Sequence, residues 1–349
     1  MESQPVVLFP PHCPNEACEA HSDPSEGFCH KIGFYKPKHR AHPVQRYLCK
    51  HCGRSFSRQT FRLDYCDNKP WQNVRVFDMV SSGVGYRQIA RKIGMTPKNV
   101  EMKTRKIARH LGQLHLRLMG QFESGRTFAF DELETFEQCR STKPLTVPIS
   151  IDQETAFIVD ACSDTIPPSG KMTPKRRRLI AAEREKSGRR ENRSRKACRR
   201  VLSTLSEHVP AGSEIAFRTD KKRTYPGLIK EAFGAGVPHT QIHSRRRRDP
   251  TNPLHRINLT LARARDLMGR LRRRSWLVTK RREFLDVHLL AFACYRNYAE
   301  SRFNADKESP AQMLGFLPRK LTAWELLSWR QDLGEWSIHP LARMDVYRS

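Results

Sequence analysis

Four cysteines near the start of the chain occur in two short-spaced pairs. The first pair is C-x4-C, the second is C-x2-C, and 30 residues lie between them. Four thiolates from two such pairs can bind one Zn²⁺ in a tetrahedron, and the metal then contributes folding energy to a segment too small for its own core. The sequence therefore predicts a structural zinc site with Cys29 and His30 as spare candidates and with the ligands Cys13, Cys18, Cys49 and Cys52.

Two aspartates stand at the ends of predicted strands. Asp131 lies in the run TFAFDELETF, and Asp220 ends the run EIAFRTD. If these strands are neighbours, both carboxylates meet at one sheet edge, where oxygen ligands suit Mg²⁺. Two such ions, about 3.5–4 Å apart, would activate the attacking oxygen and stabilise the leaving oxygen of a phosphoryl transfer. For either aspartate alone, a turn or cap role is the alternative.

The charge balance favours an anionic partner. The 349 residues include 64 Lys and Arg against 36 Asp and Glu, a formal net charge of +28. Most of it lies in two blocks, residues 171–200 with a net charge of +11 and residues 245–282 with +12. Such concentration predicts surfaces that follow a phosphate backbone rather than two solvated helix faces. Double-stranded DNA is therefore the expected partner.

Composition also excludes several classes of protein. A hydrophobic fraction of 38% argues against wholesale disorder. No apolar run is long enough for a membrane span, and the first residues do not form a secretory signal, so no membrane partner is expected. The ten cysteines then indicate metal binding or free thiols rather than disulfides, and the expected location is cytoplasmic.

Residues 71–111 have the apolar spacing of three helices. Ser81-Ser82-Gly83 ends the first, Gly94 ends the second, and Thr96 caps the third, which begins at Pro97 and runs to Leu111. A short helix, a tight glycine turn and a basic third helix form a helix-turn-helix pattern, although a generic three-helix bundle has the same stripes. The side chains predicted to be exposed near DNA on the third helix are Lys98, Asn99, Lys103 and Arg105.

The second basic block supplies further candidate DNA contacts. They are Arg245, Arg246, Arg272, Arg273 and Arg274. Trp276 stands beside the last three, where its indole could stack on a base or pack in the core. The core role is the favoured one.

After residue 126 the chain changes to a mixed pattern of strands and helices. The runs TFAFDELETF, PLTVPISID and TAFIVDAC are typical of strands, and the basic stretch 165–196 has the character of a partly helical insertion. Helices near 194–205, 225–233 and 253–274 then alternate with the short strands EIAFRTD and HTQIH. This order predicts an α/β fold in which helices cover both faces of a mixed sheet.

These segments together resemble bacterial insertion-sequence transposases of the DDE type. The resemblance covers residues 10–300 and rests on FAFDELETF, FRTDKKRTYPGLI and NPLHRINLTLARARDLMGRLRRRSW. It implies an RNase H-like catalytic core with two divalent metal ions, Mg²⁺ or Mn²⁺, in which Asp131 and Asp220 match the first two acidic ligands. The expected domains are a zinc ribbon (1–68), a helix-turn-helix (69–122), an RNase H-like domain with the basic insertion (123–300) and a C-terminal helical extension (301–349).

The third ligand is where the sequence departs from that family. His255 stands where such transposases carry Glu, with 34 residues between it and Asp220. On a helix, His255 shares one face with Asn258, Ala262 and Asp266, and the opposite face is expected to pack on the sheet. Three alternatives remain: a working Asp-Asp-His site, a site completed by Asn258 or another acid such as Glu132, or a core without catalysis. Imidazole suits Mn²⁺ or Zn²⁺ better than Mg²⁺.

The resemblance implies a transposase that binds element ends, hydrolyses a phosphodiester and joins the freed 3′ hydroxyl to target DNA. The alternative is a DNA-binding regulator on the same fold that has lost its cleavage chemistry. A zinc-ribbon transcription factor without an RNase H-like core is a weaker one. The resemblance further implies a homo-oligomer on DNA and association with a bacterial nucleoid.

Overall fold

The computed structural model describes residues 10–15, 17–36, 42–243, 245–247, 249–272 and 276–330. They form two compact units, one from the described parts of 1–74 and 324–349 and the other from 75–323. The strands are β1 (Cys29–Tyr35), β2 (Val44–Cys49), β3 (Ser55–Ser57), β4 (Arg126–Phe136), β5 (Pro144–Asp152), β6 (Ile158–Ala161), β7 (Asp164–Thr165), β8 (Ile215–Asp220) and β9 (His239–Ile242). The helices are α1 (Glu19–Ser22), α2 (Asn73–Ser81), α3 (Tyr86–Ile93), α4 (Pro97–Leu118), α5 (Pro174–Ser187), α6 (Ser194–Glu207), α7 (Tyr225–Phe233), α8 (His255–Leu267), α9 (Arg282–Cys294), α10 (Pro310–Met313) and α11 (Ala323–Ser328).

The first unit contains a small antiparallel sheet in the order β1-β2-β3. The turn between β2 and β3 needs a left-handed residue, and Gly53 supplies it with φ +68°. Beneath the sheet, Phe28, Phe56 and Phe61 pack with the buried cysteines into a core of few residues. A core this small contributes little stability, so the fold of this unit depends on a further constraint.

The second unit is built on a mixed sheet in the order β6-β5-β4-β8-β9, with β7 paired to β5. Strand β5 pairs antiparallel with both β4 and β6, whereas β8 pairs parallel with β4 and β9 pairs parallel with β8. An antiparallel meander extended by parallel strands, with helices on both faces, is the RNase H-like arrangement. The predicted fold class is confirmed.

Alternation along β4 separates the two faces of this sheet. Ala129 and Leu133 point to one face, where they join a core with residues of α8 and α9. We call this the α8 face. Phe130 points to the other, where its ring meets Tyr225 of α7 with centroids 5.1 Å apart. We call this the α6 face, because α6 also packs there on β5 and β6.

Three helices form at the predicted helix-turn-helix positions, all within the second unit except for the start of α2. Thr96 caps α4 as expected, since its hydroxyl oxygen accepts a hydrogen bond of 3.2 Å from the backbone N–H of Asn99. The turn between α2 and α3 approaches the end of α8 closely. A Cβ atom at Gly269 would lie only 2.7 Å from the backbone carbonyl oxygen of Gly83, so glycine is required at residue 269.

The third helix is longer than the sequence predicted, because its second half has tertiary partners. It continues beyond Leu111 to Leu118, and Leu114 and His115 are buried. One ring nitrogen of His115 lies 2.7 Å from the Tyr298 hydroxyl, and the other lies 2.9 Å from the carbonyl oxygen of Val159 in β6. Helix α4 therefore belongs in part to the core of the RNase H-like fold.

Other expectations are wrong for physical reasons. Lys103 was expected on the exposed face of α4, but it is only 8% exposed, because it follows Val100 by three residues on the buried stripe. Trp276 was expected to pack in the core, but it is 93% exposed. Helix α8 ends at Leu267, earlier than expected, because the backbone becomes extended at Met268.

None of the helices in the described part of the chain combines the length and the apolar character that a membrane span needs.

Two buried histidines should make the stability of the second unit depend on pH. Burial lowers the pKa of both His115 and His288 below the ordinary value of 6.5. The unfolded chain then takes up protons first as the pH falls, so stability present above about pH 6.5 is lost below it. We expect a loss of up to about 1.4 kcal/mol per pH unit from each histidine.

Urea unfolding at a series of pH values measures this loss. The slope of the unfolding free energy against pH should be smaller in His288→Gln by the contribution of one histidine, roughly 1.4 kcal/mol per pH unit. The control is His243→Gln, because His243 is exposed. An equal dependence on pH in wild type and both variants would contradict the prediction.

Candidate metal and catalytic sites

The four predicted zinc ligands converge in the first unit. The sulfur atoms of Cys13, Cys18, Cys49 and Cys52 all lie within 4.8 Å of one another. The Cys13–Cys52 and Cys18–Cys49 sulfur distances are 3.6 and 3.8 Å. A tetrahedron with Zn–S bonds of about 2.3 Å has edges of about 3.8 Å, so the cluster has the size of a zinc site. The spare candidates Cys29 and His30 lie outside it.

The backbone around the second cysteine pair supports the same chemistry. Cys49 and Cys52 flank the turn between β2 and β3, and the backbone N–H of Gly53 donates to the carbonyl oxygen of Cys49. A hydrogen bond with the backbone of Arg54 lowers the pKa of Cys52 to about 6, whereas burial raises the pKa of Cys13 to about 12. A bound cation stabilises thiolates that burial alone would keep protonated. The donor set fits Zn²⁺.

The second candidate site lies on the α8 face of the large sheet. In the parallel pairing of β4 with β8, Ala129 stands opposite Arg218. Two residues further along each strand, Asp131 and Asp220 come side by side on the same face. The partner of Asp220 on β9, Ile242, belongs to the core on that face. The sheet thus brings the two predicted aspartates together.

The electrostatics of the pair are those of crowded carboxylates. Burial, together with the negative charge of Asp220, raises the pKa of Asp131 to about 7. One Asp131 oxygen accepts a hydrogen bond of 2.7 Å from the backbone N–H of Glu132, which opposes this rise. Repulsion between two neighbouring carboxylates is relieved by a divalent cation, and their oxygens are the ligands that Mg²⁺ and Mn²⁺ prefer. The donor set fits such an ion.

Glu132 lies on the opposite face and does not join the aspartates. Its carboxylate accepts hydrogen bonds from the hydroxyls of Thr146 at 2.5 Å and Ser194 at 2.8 Å, and it forms an ion pair with Lys222. Burial alone would raise the pKa of Glu132, but these partners outweigh it and the pKa is lowered. Glu132 therefore ties β4 to β5, to the start of α6 and to the segment after β8.

The structure does not gather His255 and the two aspartates into one tight cluster. Among the described residues, the four cysteines alone form a group of three or more His, Cys, Asp or Glu ligands within 4.8 Å. The stripe of α8 that packs on the sheet contains Ile257, Leu261 and Ala264, whereas His255 lies off this stripe and is half-buried. Asn258 is half-buried at the margin of that stripe. The third metal ligand stays a prediction.

The predicted DNA contacts are partly accessible. Lys98, Asn99 and Arg105 are exposed on α4, and the Arg105 guanidinium also lies over the ring of Phe284, 4.3 Å from its centroid. In the second basic block, Arg245, Arg246 and Arg272 are exposed. Arg273 and Arg274 lie outside the described residues.

Sequence reasoning missed two cations beside the aspartates. Lys222 follows β8 and pairs with Glu132, whereas Arg218 precedes Asp220 by two residues on β8. The alternation of a strand is a signal that could have placed Arg218 on the face of Asp220. No such local signal connects Lys222 to Glu132, because their pairing depends on which strands are neighbours.

Comparisons with known proteins found matches among solved structures alone. No protein-family model matches the chain, and no curated protein matches it. Among solved structures, the catalytic domain of Mos1 mariner transposase aligns with 55% of this chain and 90% of its own length, at 12% sequence identity and a TM-score of 0.22. The fold assigned here follows from the strand order and register of the sheet itself.

Removal of zinc should unfold the first unit while the second unit stays folded. A strong chelator, or Cys49→Ser, is expected to abolish binding of one Zn²⁺ and to expose the amides of β1 to β3, because little else stabilises this unit. Native mass spectrometry counts the metal and amide hydrogen exchange reports the unfolding. Cys66→Ser is the matched control, since Cys66 is exposed and lies outside the cluster. Slow exchange in metal-free protein would contradict the zinc assignment.

The Glu132–Lys222 pair should stabilise the second unit. Lys222→Met leaves a buried carboxylate short of one partner, which costs about 1–3 kcal/mol in the free energy of unfolding. Lys221→Met is the control, because Lys221, the residue before Lys222, is exposed. Urea unfolding of zinc-loaded protein measures both variants. Equal stability of the two would show that the ion pair contributes nothing.

Proposed function

We propose that this chain is a DNA-cleaving enzyme of the transposase type that uses a divalent metal. The observation that carries the proposal is the placement of Asp131 beside Asp220 on one face of an RNase H-like sheet. The strongly basic composition supports a polyanionic substrate. The four-cysteine cluster and the three-helix segment before the sheet support recognition of DNA by the N-terminal part of the chain.

The proposed chemistry is cleavage of a phosphodiester at an element end, followed by joining of the freed 3′ hydroxyl to target DNA. Divalent ions at Asp131 and Asp220 would activate the attacking oxygen and stabilise the leaving oxygen. The chain itself holds the two carboxylates on neighbouring strands and excludes much of the water around Asp131. Glu132 and Lys222 position these strands from the α6 face. Two ends must be held together for joining, so a homo-oligomer on DNA belongs to the proposal.

The basic segments are proposed to bind the DNA backbone. Helix α5 has no buried residue and contains six lysines and arginines of the first basic block. Lys98 and Asn99 stand exposed at the start of α4, where a helix can enter the major groove. Contacts of this kind are electrostatic, so affinity should fall steeply with salt.

Substitution of either aspartate should separate cleavage from binding. Asp131→Asn and Asp220→Asn are each expected to lower Mg²⁺- or Mn²⁺-dependent cleavage about 10²–10³-fold or more, because each removes a charge that stabilises the transition state. The assay uses zinc-loaded protein and a duplex with the DNA that flanks the gene. Affinity for that duplex, measured by fluorescence anisotropy, should stay unchanged.

Glu134→Gln is the matched control, because Glu134 is an exposed acid on the same strand. It should cleave like wild type. If the wild type binds DNA but does not cleave it with either metal, the alternative stands: a DNA-binding regulator without catalysis. Cleavage that survives in both aspartate variants would sink the proposed site.

A further inference from the structure

A cavity of about 320 Å³ opens beside the aspartate pair. It lies between the turn that follows β5, the strand β8 and the segment that leads into α8. Gln153, Arg218, His255 and Arg256 contribute to its lining. Neither the zinc site nor the aspartate pair explains this cavity.

The cavity contains cationic and donor groups that have no protein partner. Arg218 is half-buried, and its guanidinium makes no hydrogen bond or ion pair with the residues that the structure describes. The His255 ring is likewise without a hydrogen-bond partner in the described part of the chain. A guanidinium that lines an open cavity and has no protein partner can donate its hydrogen bonds to an anion bound there.

The remaining charges at the cavity favour the same ligand. Glu154 is an acid at the rim, but its carboxylate lies 3.4 Å from the Arg126 guanidinium and is largely exposed to water. Arg256 donates to the backbone carbonyl oxygens of Gln153 and Glu154, so its positive charge stays at the cavity. The positive end of the α8 dipole also lies here, because His255 is the first residue of this 13-residue helix.

The cavity is one strand step from the aspartates. Arg218 and Asp220 are two residues apart on the same face of β8, a separation of about 6.7 Å between Cα atoms. A nucleic acid strand that places one phosphate at Asp220 therefore brings a neighbouring phosphate within reach of the Arg218 side chain. Arginine suits that contact, since its planar guanidinium can donate two hydrogen bonds to phosphate.

We propose that this cavity binds a backbone phosphate of the DNA strand whose cleaved phosphate lies at Asp131 and Asp220, with Arg218 and His255 as the binding residues. The assignment rests on the proposed function for the identity of the ligand. It gives His255 a positioning role toward DNA rather than a place among the metal ligands.

The salt dependence of DNA binding tests this site without any cleavage. Each phosphate contact contributes about 0.9 to the slope of log affinity against log salt concentration. With a short duplex as the probe and full-length, zinc-loaded protein, Arg218→Met is expected to reduce the slope by about 0.9, whereas Arg218→Lys, which keeps the charge, should retain it. An unchanged slope in Arg218→Met would overturn the proposal.

Arg117→Met is the matched control for loss of one arginine. Arg117 is exposed near the end of α4, two residues after His115, which bonds to β6 at the other edge of the sheet from β8 and β9. Its slope should equal that of the wild type. An equal loss in both arginine variants would mean that the cavity is not a specific site, and would also overturn the proposal.

His255→Gln provides a second variant at a helix start, where folding is little affected. It should weaken binding roughly two- to tenfold, the effect of one hydrogen bond, and this loss should shrink in the Arg218→Met background. Additive losses would overturn a shared phosphate site. Failure of the aspartate variants to lose cleavage, combined with a reduced slope in Arg218→Met, would sink the nuclease proposal and leave the phosphate site standing.

Discussion

The parallel pairing of β4 with β8 is the constraint on which the candidate active site depends. It sets Ala129 opposite Arg218, so the residues two positions later, Asp131 and Asp220, share one face of the sheet. Burial and, after it, the negative charge of Asp220 raise the pKa of Asp131, so two ionised carboxylates are unfavourable in this position. This repulsion needs an offsetting interaction, and a cation bound between the two carboxylates would be the simplest one.

The opposite face of the same strand explains why the register is specific. A slip of one residue would move Asp131 to the α6 face and Glu132 to the α8 face. Glu132 would then lose Lys222, Thr146 and Ser194 and would enter an apolar core with its charge unpaired. The two consecutive acids therefore lie in different environments. Asp131 is available to bind a ligand, whereas Glu132 is hydrogen-bonded and ion-paired within the protein. Lys222 follows Asp220 by two residues, so the same segment that carries the second aspartate also fixes the strand beside it.

Much of this arrangement could be predicted because it is local. Strand runs, the Thr96 cap and the cysteine spacing depend on near neighbours in sequence, and the structure has strands, a cap and a four-cysteine cluster at those positions. The misplaced residues depend on tertiary packing instead. Helical periodicity shows which residues of α4 share a face with Lys103. It does not show which faces of the helix the rest of the fold covers, so the burial of Lys103 was missed. The face of α8 that carries His255 could be listed from the sequence. Its distance from the aspartates depends on where the turn after β5 anchors the helix, through Arg256.

The length of α4 connects its exposed first turn to the packed interior of the second unit. A helix of 22 residues spans about 33 Å, and here it is a single element whose first turn exposes Lys98 and Asn99. Its second half is fixed by Leu114, and by His115 against Tyr298 and β6. A helix held over half its length cannot swing freely at its other end. On the proposed function, DNA bound at the first turn of α4 would be held at a defined distance from the aspartates. The buried α4 side chains would then set where along the DNA the phosphodiester is cut.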